Sequence, residues 1–505
     1  MGEQIVEAKS ANVEEKVDEI GRRPNLLLVV LWAWATTVGM VGCLSAYLGV
    51  FTGFLPRWQC VTEKCKVLDT TQLEVDTICS DNLTVGTDFI WTSDRSSFTV
   101  DLHLYCSPSS LDLFHSVYYI GSLLGLLLGC LLYERVGRRR AASAGAAVLC
   151  LSTLGSSLAG SYTVLMLLRV LQGLGDQLGY VGAYIWLFEL TPFRYRTFFN
   201  SWMAIAWVVG YPTLVSISYY VYSWRYICVA VGTVQVLCQL PLLLFPDSPL
   251  YLMSRGRYKQ ASRVLKQLAS LAKSNVDLEG VDLKFGEGKG EEIPVLKQVR
   301  EFAKHPGMFV ETGAMCWDWF VSSLLFYGLA YGWDKFGDSL YVTYLYVAVG
   351  ELIANVGVLL VLKLVGRKTA LLLFYTGATL SFFLATINKE MSALWNAERV
   401  MSMFASYFAA SSFCLLYLYT GELAPTSHRG MVSATGSIFA RISAFSGPLL
   451  SSADLSNTAR LCLFGTLAGS CVLTSCLLPE TRGRTVPDTP AHVKLRRQEQ
   501  TLFMA

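Results

Sequence analysis

Long apolar segments alternate with short polar ones along almost the whole chain. Twelve apolar runs are each long enough to cross a hydrocarbon layer of ~30 Å as a helix. These twelve predicted spans lie at 26–52, 113–133, 141–161, 162–188, 198–222, 226–245, 308–330, 339–362, 369–388, 392–420, 431–452 and 460–478. Six precede and six follow a polar stretch at 246–307. The pattern therefore predicts an all-α membrane protein whose two termini lie on one side.

The second half of the chain repeats the first. Glu189-Leu-Thr-Pro with Arg196 returns as Glu422-Leu-Ala-Pro with Arg429, at an identical spacing from the Glu to the Arg. Three further pairs are separated by nearly the same length of chain: Val136-Gly-Arg-Arg with Val365-Gly-Arg-Lys, Arg169 with Arg399, and Pro246-Asp-Ser-Pro with Pro479-Glu-Thr. The repeat predicts two pseudo-symmetric six-helix bundles that arose by duplication.

The predicted domains follow from this repeat. They are a tail at 1–25, a first bundle at 26–245, a linker at 246–307, a second bundle at 308–478 and a tail at 479–505.

Composition agrees with this organisation, because 53% of the residues are hydrophobic and only 16% are charged. The placement of charge is more informative than the net charge of +3, since 30 of the 41 Lys and Arg fall in the tails and on the linker side of the spans. By the positive-inside rule, both termini are expected in the cytoplasm. The tail at 1–25 is polar and charged, so we expect no signal peptide there.

The loop at 53–112 is expected on the opposite, extracellular side. It contains the sequon Asn82-Leu-Thr, so Asn82 is a candidate glycosylation site. It also contains Cys60, Cys65, Cys79 and Cys106, which favour two disulfides in an oxidising compartment, with three connectivities open. Zinc binding by Cys60 and Cys65 is the competing interpretation. The other ten cysteines fall in apolar segments and are assigned no chemistry.

An amphipathic helix is predicted at 258–273 within the linker. Its apolar face comprises Ala261, Val264, Leu265, Leu268, Leu271 and Ala272. This helix is interpreted as a strut beneath the bundle, with a docking site for a partner as the alternative.

Several motifs resemble one known family. Tyr133-Glu-Arg-Val-Gly-Arg-Arg resembles the major facilitator superfamily signature between spans 2 and 3. The large cysteine-bearing loop after span 1, the Phe98-Thr-Val-Asp-Leu run and Glu422-Leu-Ala-Pro-Thr resemble its organic cation, anion and zwitterion (carnitine-type) transporters. The departures, such as Cys130 for Gly and Glu134 for Asp in the signature, indicate a divergent member. The resemblance implies a carrier of small organic ions in the plasma membrane.

The signature is interpreted as an inner gate, in which carboxylates and guanidiniums link neighbouring span ends when the cavity faces outward. The candidate gating residues are Glu134, Arg135, Gly137, Arg138, Arg139, Glu189, Arg196, Gly366, Arg367, Glu422 and Arg429. For the arginines, a role only as topology signals is the alternative.

Charged residues deep inside the spans are the candidate substrate site. Arg441 lies about ten residues into span 11, or roughly 15 Å along a helix, where a guanidinium is costly without a partner or ligand. Three acids also lie deep: Asp176, Asp318 and Glu351. The resemblance places Arg441 where anion and carnitine-type carriers have Arg, so a zwitterion or anion is expected. A salt bridge for Arg441 and a structural bond for Asp318 are the alternatives. Arg169 and Arg399 are expected near the outer interface, where charge costs little.

Aromatic residues in spans 2, 4 and 7 are candidates for gripping an organic cation through their ring faces. They are Tyr119, Tyr180, Tyr184, Trp319, Phe326 and Tyr327. Core packing is the alternative for each.

The sequence thus predicts a twelve-span carrier working by alternating access, with a small organic ion and the lipid bilayer as partners and no nucleic acid. No ATP site and no cofactor are expected, and a co- or counter-transported ion is left open. An organic cation carrier and a receptor or scaffold that has lost transport are the rivals. An enzyme is not expected, because the five histidines show no paired spacing and no nucleophile elbow is found.

Overall fold

The computed structural model describes residues 16–21, 25–56, 58–61, 89–91, 93–274, 306–332, 339–391, 397–423, 429–452 and 455–482. Within them, twelve helical spans follow one another along the chain. In the first half they are Leu26–Thr52, Pro108–Arg135, Arg138–Ser156, Tyr162–Leu190, Phe193–Val208 continued by Gly210–Tyr220, and Trp224–Gln239. In the second half they are Pro306–Gly332, Leu340–Leu364, Arg367–Met391, Ala397–Leu423, Arg429–Ser452 and Asn457–Cys476. The twelve predicted spans are confirmed.

Small polar residues begin several of these helices. The side chain of Asn25 accepts a hydrogen bond from the Leu28 N–H at 3.1 Å and caps span 1. Ser161, Ser339 and Ser456 cap spans 4, 8 and 12 in the same way. Among the described residues, seven helices are long and apolar enough to cross a membrane by length and composition alone, namely spans 1, 2, 5, 8, 9, 10 and 12.

The spans pack as two bundles that meet along two seams. In the first half, span 4 packs against spans 2 and 3, and span 1 against span 5; in the second half, span 7 packs against span 11, and span 9 against spans 10 and 12. The bundles touch where span 2 meets span 11 and where span 5 meets span 8. A site between the bundles is therefore bordered by these four helices.

The loop after span 1 contains structure that the prediction of an all-α chain lacks. Strands Trp58–Cys60 and Phe89–Trp91 pair antiparallel, and a short helix follows at Phe98–Asp101. Cys106 is disulfide-bonded. Cys65, Cys79, Asn82 and the Cys60 side chain lie outside the described residues, so the pairing and the glycosylation site stay predictions.

The amphipathic helix at Tyr258–Ala272 packs under the first bundle. Ala261, Val264, Leu265, Leu268 and Ala272 are buried in a cluster with span 1 and span 4, as predicted. The assignment of Leu271 to this face is wrong, because Leu271 is 41% exposed and Ala269 is buried in its place. The buried face supports the interpretation of the helix as a strut.

Candidate functional site

Arg441 projects from span 11 into a group of tyrosines between the bundles. It hydrogen-bonds Tyr327 of span 7 and lies within electrostatic range of Tyr118 and Tyr417. Its Nε atom is buried and has no hydrogen-bond partner in the described part of the chain. Among the described carboxylates, none forms a salt bridge with Arg441. The guanidinium therefore keeps capacity for a further acceptor.

Asp176 faces this guanidinium from the opposite bundle. It accepts a hydrogen bond from the Tyr118 hydroxyl at 2.7 Å and is 8% exposed. Arg441 lies within electrostatic range of Asp176, although no direct salt bridge joins them. One cation of the second bundle and one anion of the first are thus held near each other without direct contact.

Aromatic rings surround this pair of charges. Tyr119 of span 2 packs against Tyr327 of span 7 with ring centroids 4.8 Å apart. Tyr417 of span 10 contacts Trp319 at 4.5 Å and is still 46% exposed. Across from Tyr417 lie Tyr180 and Tyr184 of span 4, both partly exposed.

The candidate aromatics do not all have the same surroundings. Trp319 is 2% exposed, and its indole N–H donates to the Thr420 hydroxyl at 2.9 Å, within the second bundle. Phe326 stacks on Phe413 of the same bundle with centroids 5.4 Å apart. Their contacts are those of core packing, whereas Tyr180, Tyr184, Tyr119 and Tyr327 contact or face the other bundle.

Glu351 lies apart from Arg441, at the seam between spans 5 and 8. It is 8% exposed and accepts a hydrogen bond from the Tyr211 hydroxyl at 2.7 Å. One helical turn further along span 8, the Asn355 side chain donates to the Ala204 carbonyl of span 5 at 3.3 Å. Glu351 also lines a cavity of about 60 Å³ between spans 7, 8 and 10. The described contacts of Glu351 connect the two bundles at this seam, and none of them reaches Arg441.

Asp318 is fully buried inside the second bundle. Its carboxylate accepts hydrogen bonds from Thr474 at 2.5 Å and Ser475 at 3.2 Å, both in span 12. The structure does not bring Asp318 together with Arg441. These contacts favour the alternative given from the sequence, in which Asp318 forms a structural bond to a neighbouring helix.

Arg169 lies toward the start of span 4, but the expectation that its charge costs little there is wrong. Arg169 is 1% exposed. It donates to the carbonyls of Ser45 and Ala46 at 2.8 and 2.7 Å and to Gln172 Oε1 at 2.9 Å. Its guanidinium also lies over the Tyr118 ring at 4.5 Å. The charge is solvated by span 1 backbone rather than by water. The Arg399 side chain lies outside the described residues.

The candidate gating residues form matching ion pairs in the two halves. Arg138 pairs with Glu189 at 3.2 Å, and Arg367 pairs with Glu422 at 3.0 Å. Arg139 pairs with Asp247 at 3.2 Å. Each pair lies within one half of the chain, so the three pairs fix span ends within their own bundle in this conformation.

The remaining signature residues have different surroundings. Glu134 and Arg135 are exposed, and Arg196 Nε donates to the Thr191 carbonyl at 3.3 Å. The Arg429 side chain lies outside the described residues. Gly137 adopts a φ of 107°, in the region that favours glycine.

Two residues of this centre were missed by the sequence reasoning, although one left a signal. Tyr417 precedes Glu422 at the same spacing as Tyr184 precedes Glu189, so the internal repeat relates them. Tyr118 has no such mark, because it is one of two adjacent tyrosines and only the fold shows that it caps Asp176. Among the described residues, no group of three or more His, Cys, Asp or Glu is arranged to hold a metal ion.

Comparison with known proteins gives consistent matches. Residues 90–448 match the family model of the Major Facilitator Superfamily. The chain is 26% identical to "Solute carrier family 22 member 2" of Rattus norvegicus over 79% of the chain and 72% of the relative. It is 26% identical to "Solute carrier family 22 member 6" of Mus musculus, covering 80% and 76%, and 24% identical to "Organic cation transporter protein" of Drosophila melanogaster, covering 78% and 74%.

A solved structure has a similar fold. The inward open conformation of the xylose transporter XylE from E. coli superimposes with a TM-score of 0.63 at 17% identity, covering 91% of the chain and 98% of that protein.

Proposed function

Because the chain belongs to the Major Facilitator Superfamily, as a divergent multi-pass transporter of the solute carrier family 22 type and not an enzyme, we propose that it carries carnitine-like zwitterions or organic anions. Arg441 is the anchor for the substrate carboxylate in this proposal. Transport takes place by alternating access at the plasma membrane, with both termini in the cytoplasm.

One observation supports this proposal best. Arg441 and Asp176 face each other from the two bundles, and no salt bridge joins them. A zwitterion offers a carboxylate for the guanidinium and an ammonium for the aspartate. Both buried charges would then gain a charged partner in direct contact, in addition to the tyrosine hydroxyls that hold them. Since the two residues belong to different bundles, a bound zwitterion would also draw the bundles together around itself.

The tyrosines complete the proposed site. Tyr327 holds the Arg441 guanidinium by a hydrogen bond, and Tyr180, Tyr184 and Tyr417 face one another from spans 4 and 10. A substituted ammonium placed between such rings gains ~0.5–2 kcal/mol for each well-placed contact. Tyr119 would close the site on the span 2 side.

The ion pairs Arg138–Glu189 and Arg367–Glu422 would keep each bundle rigid as it moves. Residues at the same span ends would meet across the two halves only when the cavity faces outward, which is the proposed inner gate.

An organic cation carrier is the second candidate. It is favoured by two buried carboxylates, Asp176 and Glu351, whose described hydrogen-bond donors include only neutral side chains. One relative is named for organic cations. The arginine at the centre opposes this candidate, because a cation near Arg441 would meet a like charge.

Uptake measurements in cells would test the proposal. The wild type and the variants Arg441→Ala, Arg441→Lys and Asp176→Asn would be given one radiolabelled anion, one cation and one zwitterion. We expect wild-type uptake of the zwitterion or anion and a loss of at least about tenfold in Arg441→Ala, since truncating one partner of a buried charge pair typically costs ~2–5 kcal/mol. Asp176→Asn should reduce zwitterion uptake and spare a simple anion.

Asp318→Asn is the matched control, because Asp318 is also a buried carboxylate held by hydroxyls but lies outside the centre. It should leave the choice of substrate unchanged. Uptake of the cation alone, unaffected by Arg441→Ala, would support the second candidate. Surface expression with no flux of any probe would instead support a receptor or scaffold role.

A further inference from the structure

The segment that returns from the large loop to span 2 is fastened to the first bundle. The Ser96 N–H donates to the Tyr222 carbonyl at 3.0 Å, and the Thr99 hydroxyl donates to the Phe54 carbonyl at 3.0 Å. The indole N–H of Trp224 donates to Asp101 at 2.7 Å. These bonds tie the segment to the ends of spans 1, 5 and 6. Any side chain that reaches from it to the second bundle therefore links the two halves.

Arg95 is such a side chain. Its guanidinium donates to the Ser218 carbonyl at 2.5 Å and the Tyr219 carbonyl at 2.9 Å, at the end of span 5. It also donates to the hydroxyl of Tyr341 at 2.6 Å, at the start of span 8. The guanidinium lies over the rings of Tyr222 and Tyr341, with centroids at 4.9 and 5.1 Å.

The rings beneath Arg95 also pack across the two halves. Phe51 of span 1 lies 6.0 Å from the Tyr341 ring and 5.1 Å from the Tyr344 ring. Phe51 and Tyr344 are 1% and 2% exposed. The gap between the bundles is therefore closed at this end by packed rings, and Arg95 lies over them.

We propose that Arg95 and Tyr341 form the outer gate of the transport cycle, in which their bond holds the loop side shut and breaks each time the carrier opens outward. The proposal rests on the alternating access of the proposed function. When the bundles part, the bonds from Arg95 to the span 5 carbonyls stay within the first bundle. The bond from Arg95 to Tyr341 joins different bundles and must break, as must the longer bond that the Tyr341 hydroxyl donates to the Ser218 carbonyl at 3.5 Å. Charge-assisted hydrogen bonds are among the stronger ones, so the gate favours the closed state.

A thiol-accessibility experiment tests the gate without any transported substrate. Ala348→Cys places a reporter about two turns into span 8, about 12 Å below its start, at a position that is 6% exposed. Cells expressing the full chain would be treated with a membrane-impermeant maleimide, and labelling of the parent without Ala348→Cys would be subtracted. We expect Arg95→Ala and Tyr341→Phe to speed labelling about tenfold, because a hydrogen bond to a charged group is worth ~1.5–3 kcal/mol.

Arg225→Ala is the matched control. Arg225 also donates to two carbonyls near the same end of the protein, those of Ser157 and Ala159, but both belong to the first bundle. It should label like the parent, and the double variant Arg95→Ala/Tyr341→Phe should speed labelling by less than the product of the two single effects, because both single variants lose the same Arg95–Tyr341 bond. The gate is refuted if Tyr341→Phe, which keeps the ring, labels at the parental rate, or if Arg225→Ala speeds labelling equally. Because labelling needs no substrate, a failed substrate prediction leaves this result intact.

Discussion

Replacing Arg169 by methionine should destabilise the first bundle, although it removes a buried charge. The guanidinium makes three hydrogen bonds of 2.7 to 2.9 Å and is 1% exposed. At ~1.5–3 kcal/mol for each bond to a charged group, the gross loss is about 6 kcal/mol. The released desolvation cost offsets several kcal/mol of it. Gln172 Oε1 would lose its donor, and a buried acceptor without a partner costs a further ~1–3 kcal/mol. The net loss in the free energy of unfolding is therefore about 3 kcal/mol.

Thermal unfolding of detergent-purified protein, followed by size-exclusion fluorescence, would measure this loss. At ~2–4 °C per kcal/mol for a unit of 150–250 residues, we expect the apparent Tm to fall by about 6–12 °C. The second substitution Gln172→Leu should return part of the loss, because it removes the orphaned acceptor.

Arg225→Met is the control, since Arg225 is only partly buried at the end of the same bundle. It should lower the Tm by no more than about 2 °C, because partly exposed polar contacts contribute little. An unchanged Tm in Arg169→Met would contradict the reasoning, as would an equal fall in Arg225→Met. The first outcome would mean that the contacts of Arg169 only balance the cost of its burial, and the second would mean that burial does not decide how much such contacts contribute.

Two further changes test single contacts. Gly366→Ala should lower the apparent Tm by a few degrees, because the added Cβ would meet the Glu480 carboxylate, which accepts a hydrogen bond from the first N–H of span 9. A Tm equal to that of the wild type would show that Glu480 moves aside freely. Tyr327→Phe should raise KM for a carboxylate substrate about fivefold, with kcat little changed, because it removes a hydroxyl that holds Arg441. Tyr375→Phe is its control, since that buried hydroxyl bonds Ser322 inside the second bundle instead, and an equal rise in KM there would refute the role of Tyr327.

The spans could be predicted because the membrane imposes a length on every apolar helix. Span 1 begins and ends where the apolar run does, at Leu26–Thr52. The small sheet at Trp58–Cys60 could not be predicted, because so short a strand carries too little of an alternating pattern. Leu271 shows the limit of helical periodicity, since it lies at the edge of the apolar face and is exposed.

The depth of a charged residue was readable from the sequence, but the direction of its side chain was not. Arg441 and Asp318 both lie well inside their spans. One faces the gap between the bundles and the other bonds span 12 inside its own bundle. Arg169 was misjudged for the same reason, because counting residues along span 4 does not reveal that the guanidinium turns toward the carbonyls of span 1.

The internal repeat distinguishes residues of the moving framework from residues that select the proposed substrate. Residues that shape each bundle have twins, as in the ion pairs Arg138–Glu189 and Arg367–Glu422. The charges at the centre have none, because the offset that relates Glu189 to Glu422 places Ala409 opposite Asp176 and Val208 opposite Arg441. A symmetric framework can rock equally well either way, since both halves are braced alike. At the centre, the positive charge of Arg441 belongs to the second bundle and the negative charge of Asp176 to the first. An asymmetric zwitterion would therefore be held in one orientation throughout the cycle. Exchanging the two charges in the double variant Asp176→Arg/Arg441→Asp would then reverse that orientation without altering the framework.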